Sequence, residues 1–167
     1  LLPLSASSSS LLCKEYVVNL DSFLKKTSVR SPWLFRINAG SCNGCDVELA
    51  TTALIPRYDV ERLGCLYTGS PRQADIVLVT GPVTVQMRDY VVRVWNEIPE
   101  PKVTVAVGIC PISGGVFRDS YSIAGPLSKL VKVDVNVPGC PPRPQAIMEG
   151  VVLAKQIWMK KLGITED

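Results

Sequence analysis

From residue 33 onward, hydrophobic and polar positions alternate between two kinds of segment. Trp33 to Asn38, Leu63 to Thr68, Asp75 to Thr80, Val103 to Val107 and Val131 to Val137 read as strands. The third of these is apolar almost without a break, the pattern of a strand buried on both faces. Between and after them, helical spacing predicts helices over about 46–54, 85–97 and 144–161. Strands alternating with helices predict an α/β domain, a parallel sheet with helices on both faces. Further upstream, Val17, Leu20 and Leu24 recur at helical spacing within residues 14–26, with charge on the opposite face. That face mixes acidic and basic groups, which favours a short amphipathic helix packed on a protein neighbour over a membrane-surface anchor. The expected organisation is a tail with this helix over 1–30 and a single domain over 31–167, since no repeat or linker divides the remainder.

Composition narrows the function classes. The chain has 167 residues, 47% hydrophobic and 20% charged, an ordinary globular composition long enough for a sizeable core. Lys and Arg outnumber Asp and Glu by only 18 to 15 and are scattered, so no nucleic-acid partner is expected. No apolar run approaches the ~20 residues that span a bilayer, so no transmembrane segment is expected either. The first twelve residues carry a serine run but no basic start and no clear cleavage site, which points to a reducing cytoplasm.

Six cysteines and no histidine decide the chemistry that is open. Without histidine, this chain alone cannot build a Ser-His-Asp triad, a Cys-His dyad or a His-ligated metal. Cys42 and Cys45 form Cys-Asn-Gly-Cys directly after the first strand, Cys110 follows the strand Val103 to Val107, and Cys140 follows Val131 to Val137. Parallel strands all end on one edge, so these four residues are expected to converge there, where open α/β folds bind ligands. Four thiolates on one rim suit zinc or an iron–sulfur cluster. A thioredoxin-like dithiol at Cys42 and Cys45 is also open, although it leaves Cys110 and Cys140 idle. Two single ligands are unusual for structural zinc, and spacing favours iron–sulfur. Prolines after Cys110 and Cys140 stiffen their loops, while Gly40, Gly44, Gly108 and Gly139 let the main chain approach a bulky inorganic core. Arg72 and Arg143 are candidates for tuning an anionic group there. Cys65, inside the second strand, reads as a packed core thiol, and Cys13 has no partner in view.

At these positions the chain resembles the small-subunit core shared by NiFe hydrogenases and the cluster-bearing subunit of respiratory complex I beside the quinone cavity. The matching stretches are Gly40-Ser-Cys-Asn-Gly-Cys-Asp-Val-Glu48, Gly69 to Pro82, Val107-Gly-Ile-Cys-Pro111, Ser113-Gly-Gly-Val-Phe117 and Val137-Pro-Gly-Cys-Pro-Pro-Arg-Pro144. Complex I subunits of this type carry adjacent cysteines in the first motif; this chain has Cys-x-x-Cys, as hydrogenases do. No twin-arginine leader and no further cluster domain are expected, which turns the resemblance toward membrane-bound, energy-converting hydrogenases and their sulfur-reducing archaeal relative. The resemblance implies a flavodoxin-like fold and one 4Fe–4S cluster on Cys42, Cys45, Cys110 and Cys140 at the C-terminal strand edge. It implies an electron-relay subunit feeding a large NiFe-hydrogenase-like catalytic subunit from a ferredoxin-type iron–sulfur subunit. The complex would sit on a membrane antiporter-like arm, with this chain peripheral on the cytoplasmic face. The end reaction would be proton reduction, sulfane sulfur reduction or, as in complex I, quinone reduction. Glu48 would lie near the catalytic subunit, as a proton-handling group or as a carboxylate favoured by the helix dipole. A zinc-stapled interaction module is the non-redox alternative.

Overall fold

The computed structural model describes residues 31–163. The helix expected over residues 14–26 and Cys13 lie outside the described residues. Strand β1 (Trp33–Asn38) pairs in parallel with β3 (Ile76–Thr80), in register from Leu34 opposite Ile76 to Asn38 opposite Thr80. β3 pairs in parallel with β5 (Val103–Val107), which pairs with β7 (Val135–Val137), and β2 (Leu66–Tyr67) flanks β1. The order β2-β1-β3-β5-β7 is the flavodoxin-like arrangement.

Alternation along each strand sorts the two faces. Ile37, Val77, Val79 and Ala106 point to one side and pack with Val91 and Ile98, brought by helix α2 (Arg88–Glu97) and the turn after it. Leu34, Leu78 and Val105 point to the other, where α1 (Gly44–Leu54) and α4 (Pro144–Lys161) lie against each other. All five residues of β3 and all five of β5 are buried, as a strand covered on both faces must be. Each such aliphatic side chain contributes roughly 1.5–3 kcal/mol on leaving water. At the far end of α4, Trp158 is buried and its Nε1 donates to the Pro101 carbonyl (2.9 Å), tying the helix to the approach of β5.

Several element bounds differ from expectation. The strand read over Leu63 to Thr68 shortens to Leu66–Tyr67, because Val60–Leu63 curls into a 3-10 turn closed by Gly64 at φ +78°. The last strand begins at Val135, not Val131. Val131 is in the core, but Leu127–Lys129 form a turn, and Asp134 meets Thr104 through both its backbone N–H and its carboxylate (2.9 and 3.1 Å). The helix expected from Val85 starts at Arg88, since Val83–Thr84 (β4) pairs antiparallel with Ile123–Gly125 (β6). A short helix α3 (Ile109–Ser113) replaces the start of the loop expected after β5.

Candidate metal centre

Cys42 and Cys45 are set by the way the chain leaves β1. The Asn38 side chain accepts from the backbone N–H groups of Gly40 (2.9 Å) and Ser41 (2.8 Å), turning the chain off the strand end. Ser41 Oγ accepts from Asn43 N–H (3.1 Å), and Asn43 takes the left-handed conformation at φ +68° just before α1. Cys42 is left exposed on this loop, and Cys45, on the first turn of α1, is buried.

The other two cysteines come from loops joined to each other. Gly108 N–H donates to the Val137 carbonyl (2.8 Å) and Ile109 N–H to that of Gly139 (2.9 Å), so the exits of β5 and β7 run side by side. Cys110, on α3, is partly buried, and Cys140 is exposed. Glycine is required at two points here. At Gly108, φ is +92° and a Cβ would sit 2.8 Å from Cys45 Sγ, so the β5 exit passes directly over that thiol. At Gly139, φ is +150° and a Cβ would fall 2.5 Å from Pro142 Cα. At Gly44, a Cβ would lie 3.6 Å from Cys42 Sγ and 4.0 Å from Pro141.

The thiols respond to this proximity. Burial, then the charges of Cys110, Cys42, Cys140 and Asp46, pushes the Cys45 thiol up to about 11. Burial, then Cys140 and Cys42, pushes Cys110 up as well. Four thiolates so placed repel one another, and a cationic inorganic core bound between them would remove that repulsion with release of protons. No disulfide joins them: Cys42, Cys45, Cys65, Cys110 and Cys140 are all free. Among the described residues no three Cys, Asp or Glu side chains converge closely enough to share a single metal ion.

Gly44, Gly108 and Gly139 lie on this rim; Arg143 is exposed and occupies the position just before α4, without a side-chain hydrogen bond to the helix. Arg72 lies on the connection between β2 and β3. Its turn, Pro71–Gln73, leads into the beginning of β3, and Asp75 just beyond pairs with Trp33 at the start of β1, at the opposite end of the sheet from the cysteines. Glu48 is half-buried on α1, one turn past Cys45, and none of the ion pairs among the described residues includes it. Cys65 is fully buried away from this edge, and burial pushes its thiol up.

Sequence reasoning missed Asp46. Its buried carboxylate accepts from Thr80 Oγ1 (2.8 Å) and Asn38 Nδ2 (3.1 Å) and pairs with Arg36 Nη1 (3.2 Å). A signal was available: Arg36 and Asn38 share strand parity with the buried Leu34, so a charge on β1 faces α1 and calls for an acid there.

A probable membrane-bound hydrogenase subunit of Pyrococcus furiosus is 57% identical over 125 residues, covering 75% of this chain and 74% of that protein. Formate hydrogenlyase subunit 7 of Escherichia coli is 41% identical over 148 residues, 89% of this chain but 58% of its own length. A chain of the membrane-bound sulfane sulfur reductase, an archaeal respiratory membrane complex, superposes with a TM-score of 0.71 at 34% identity, over 83% of this chain and 76% of that one. The profile of one family matches residues 42–154, from the first rim cysteine into α4. The chain belongs to that family, the 20 Kd subunit of NADH ubiquinone oxidoreductase, and its relatives include subunits of hydrogen- and sulfur-metabolising membrane complexes.

Proposed function

We propose that Cys42, Cys45, Cys110 and Cys140 hold one 4Fe–4S cluster and that the chain is an electron-transfer subunit of a membrane-bound oxidoreductase complex. The observation that carries this is the gathering of three strand-end loops on one sheet edge, with thiols close enough to feel each other's charge. A cube of iron and sulfide binds each thiolate at a separate corner, whereas zinc draws four ligands onto one ion. When bound, such a cluster supplies one-electron transfer. The residues of this chain hold it: Gly108 lets the β5 exit lie on Cys45, and Pro111, Pro141 and Pro142 present no N–H groups beside it.

The relatives support placement in a complex that carries the electron onward to protons or to sulfane sulfur. The catalytic centre would lie on a large NiFe-hydrogenase-like subunit, with electrons arriving from a ferredoxin-type subunit. Val47, Val116 and Phe117 are exposed near the cysteine edge and give the large subunit an apolar seat. No helix among the described residues is long and apolar enough to cross a membrane, so attachment to the membrane arm on the cytoplasmic face would be peripheral. Glu48 at that seat would pass protons between subunits. The family's own description keeps a quinone-reducing relay as the second reading.

Anaerobic purification followed by iron and sulfide analysis tests the proposal. Absorption near 400 nm with about four irons per chain supports it, and Cys110→Ser should lose most of that iron. A colourless protein carrying one zinc would overturn it.

A further inference from the structure

A buried carboxylate next to one of the rim cysteines is the feature that the proposed electron-transfer role does not yet use. Asp46 follows Cys45 directly and is 7% exposed, whereas Arg36, its ion-pair partner at 3.2 Å, is 45% exposed. The pair lies at one side of an open cavity of about 250 Å³ bordered by Leu49, Ala50, Ala53, Leu54 and Tyr67. Asp46 also accepts from Thr80 and Asn38, so the carboxylate is held from three sides. An ionised group in such a position carries a burial penalty unless it is compensated. Arg36 supplies the compensating charge from the side that water can reach. Asn38 links the pair to the cysteine loop, because its amide nitrogen donates to Asp46 while its oxygen holds Gly40 and Ser41.

We propose that Asp46 and Arg36 form a charge pair that sets the reduction potential of a cluster bound at Cys45, Asp46 acting as an electronegative positioning residue and Arg36 as its counterweight. The inference rests on the iron–sulfur reading above. Adding one electron to the cluster raises its negative charge by one, so a nearby anion opposes reduction and a nearby cation favours it. The two halves of the pair therefore act in opposite directions. Removing Arg36 leaves the Asp46 charge less compensated and moves the potential down. Removing the charge of Asp46 leaves Arg36 unopposed and moves it up. A purely structural pair would lower stability in both variants with no such opposition.

The test is a dithionite titration followed by electron paramagnetic resonance on the complex, with iron and sulfide measured on each sample. Arg36→Gln should shift the midpoint downward, Arg36→Lys should bring it back toward the native value, and Asp46→Asn should shift it upward. Arg36 is half-exposed, so its variants retain the packed core and keep the test valid if Asp46→Asn does not fold. Loaded complexes in which Arg36→Gln and Arg36→Lys titrate at the native midpoint would overturn the pairing while leaving the cluster assignment intact. Iron-free native protein would overturn both, and the iron analysis separates the two failures.

Discussion

Replacing Gly108 by alanine probes the cysteine edge without touching a cysteine. Its backbone, at φ +92° and ψ 167°, lies in a region that residues with a side chain enter at a cost of about 1–3 kcal/mol. The new Cβ would also stand 2.8 Å from Cys45 Sγ, where ordinary heavy-atom contact needs about 3.5–4.0 Å. Either the thiol or the β5 exit must give by nearly the full difference, an overpacking cost of about 1–3 kcal/mol. The sum, about 2–6 kcal/mol, is a large share of the 5–15 kcal/mol that stabilises a typical domain. At roughly 2–4 °C per kcal/mol for a chain of this size, the thermal midpoint should fall by about 5–20 °C. Because the displaced atom is a proposed ligand, iron uptake on anaerobic reconstitution should fall as well. Gly163→Ala is the matched control: φ there is +75°, but nothing lies within 4 Å of the added carbon. It should cost about 1–2 kcal/mol and leave iron uptake unchanged. Differential scanning calorimetry and iron analysis of both proteins check the reasoning. A G108A protein with native iron loading and an unchanged midpoint would refute it.

Other outcomes follow from the same contacts. Cys140→Ser should lose most of its iron, whereas Cys65→Ala should keep it, since Cys65 is buried away from the rim; iron analysis of the two purified variants distinguishes them. Asn38→Ala removes the acceptor for Gly40 and Ser41 and a donor to Asp46, and should cost about 2–4 kcal/mol in urea unfolding at roughly 1 kcal/mol per hydrogen bond. In cluster-free protein, the Cys45 thiol is held at about 11 against 9.0 in the unfolded chain, so the folded state retains the proton longer. Its stability is then fully present below pH 9 and declines as pH rises from 9 toward 11, and Cys45→Ser should flatten that decline in denaturant melts taken across this range.

The strands that fix the site were the most legible part of the sequence. β3 and β5 are apolar at nearly every position, and burial on both faces leaves no other reading of them. With β1 and β7 paired alongside them, the expected convergence of Cys42, Cys45, Cys110 and Cys140 follows by topology from the ends of β1, β5 and β7. Legibility failed where apolar residues continue past the ladder. Leu63 belongs to a 3-10 turn and Val131 fills the core from off the sheet, and hydrophobicity alone does not distinguish these states from strand. Asp46 was hidden by its position in the first turn of a helix, where an acid needs no further explanation. Only the parity of Arg36 with Leu34 on β1 points to the pairing.

The central claim is that four sulfurs from three strand-end loops bind one inorganic cluster. A high-resolution density map of the anaerobically prepared complex addresses it directly. One compact cluster is expected on this edge, with the Sγ atoms of Cys42, Cys45, Cys110 and Cys140 each bound to a different iron. Density for a lone metal ion, or any of these four sulfurs turned away from the others, would contradict it.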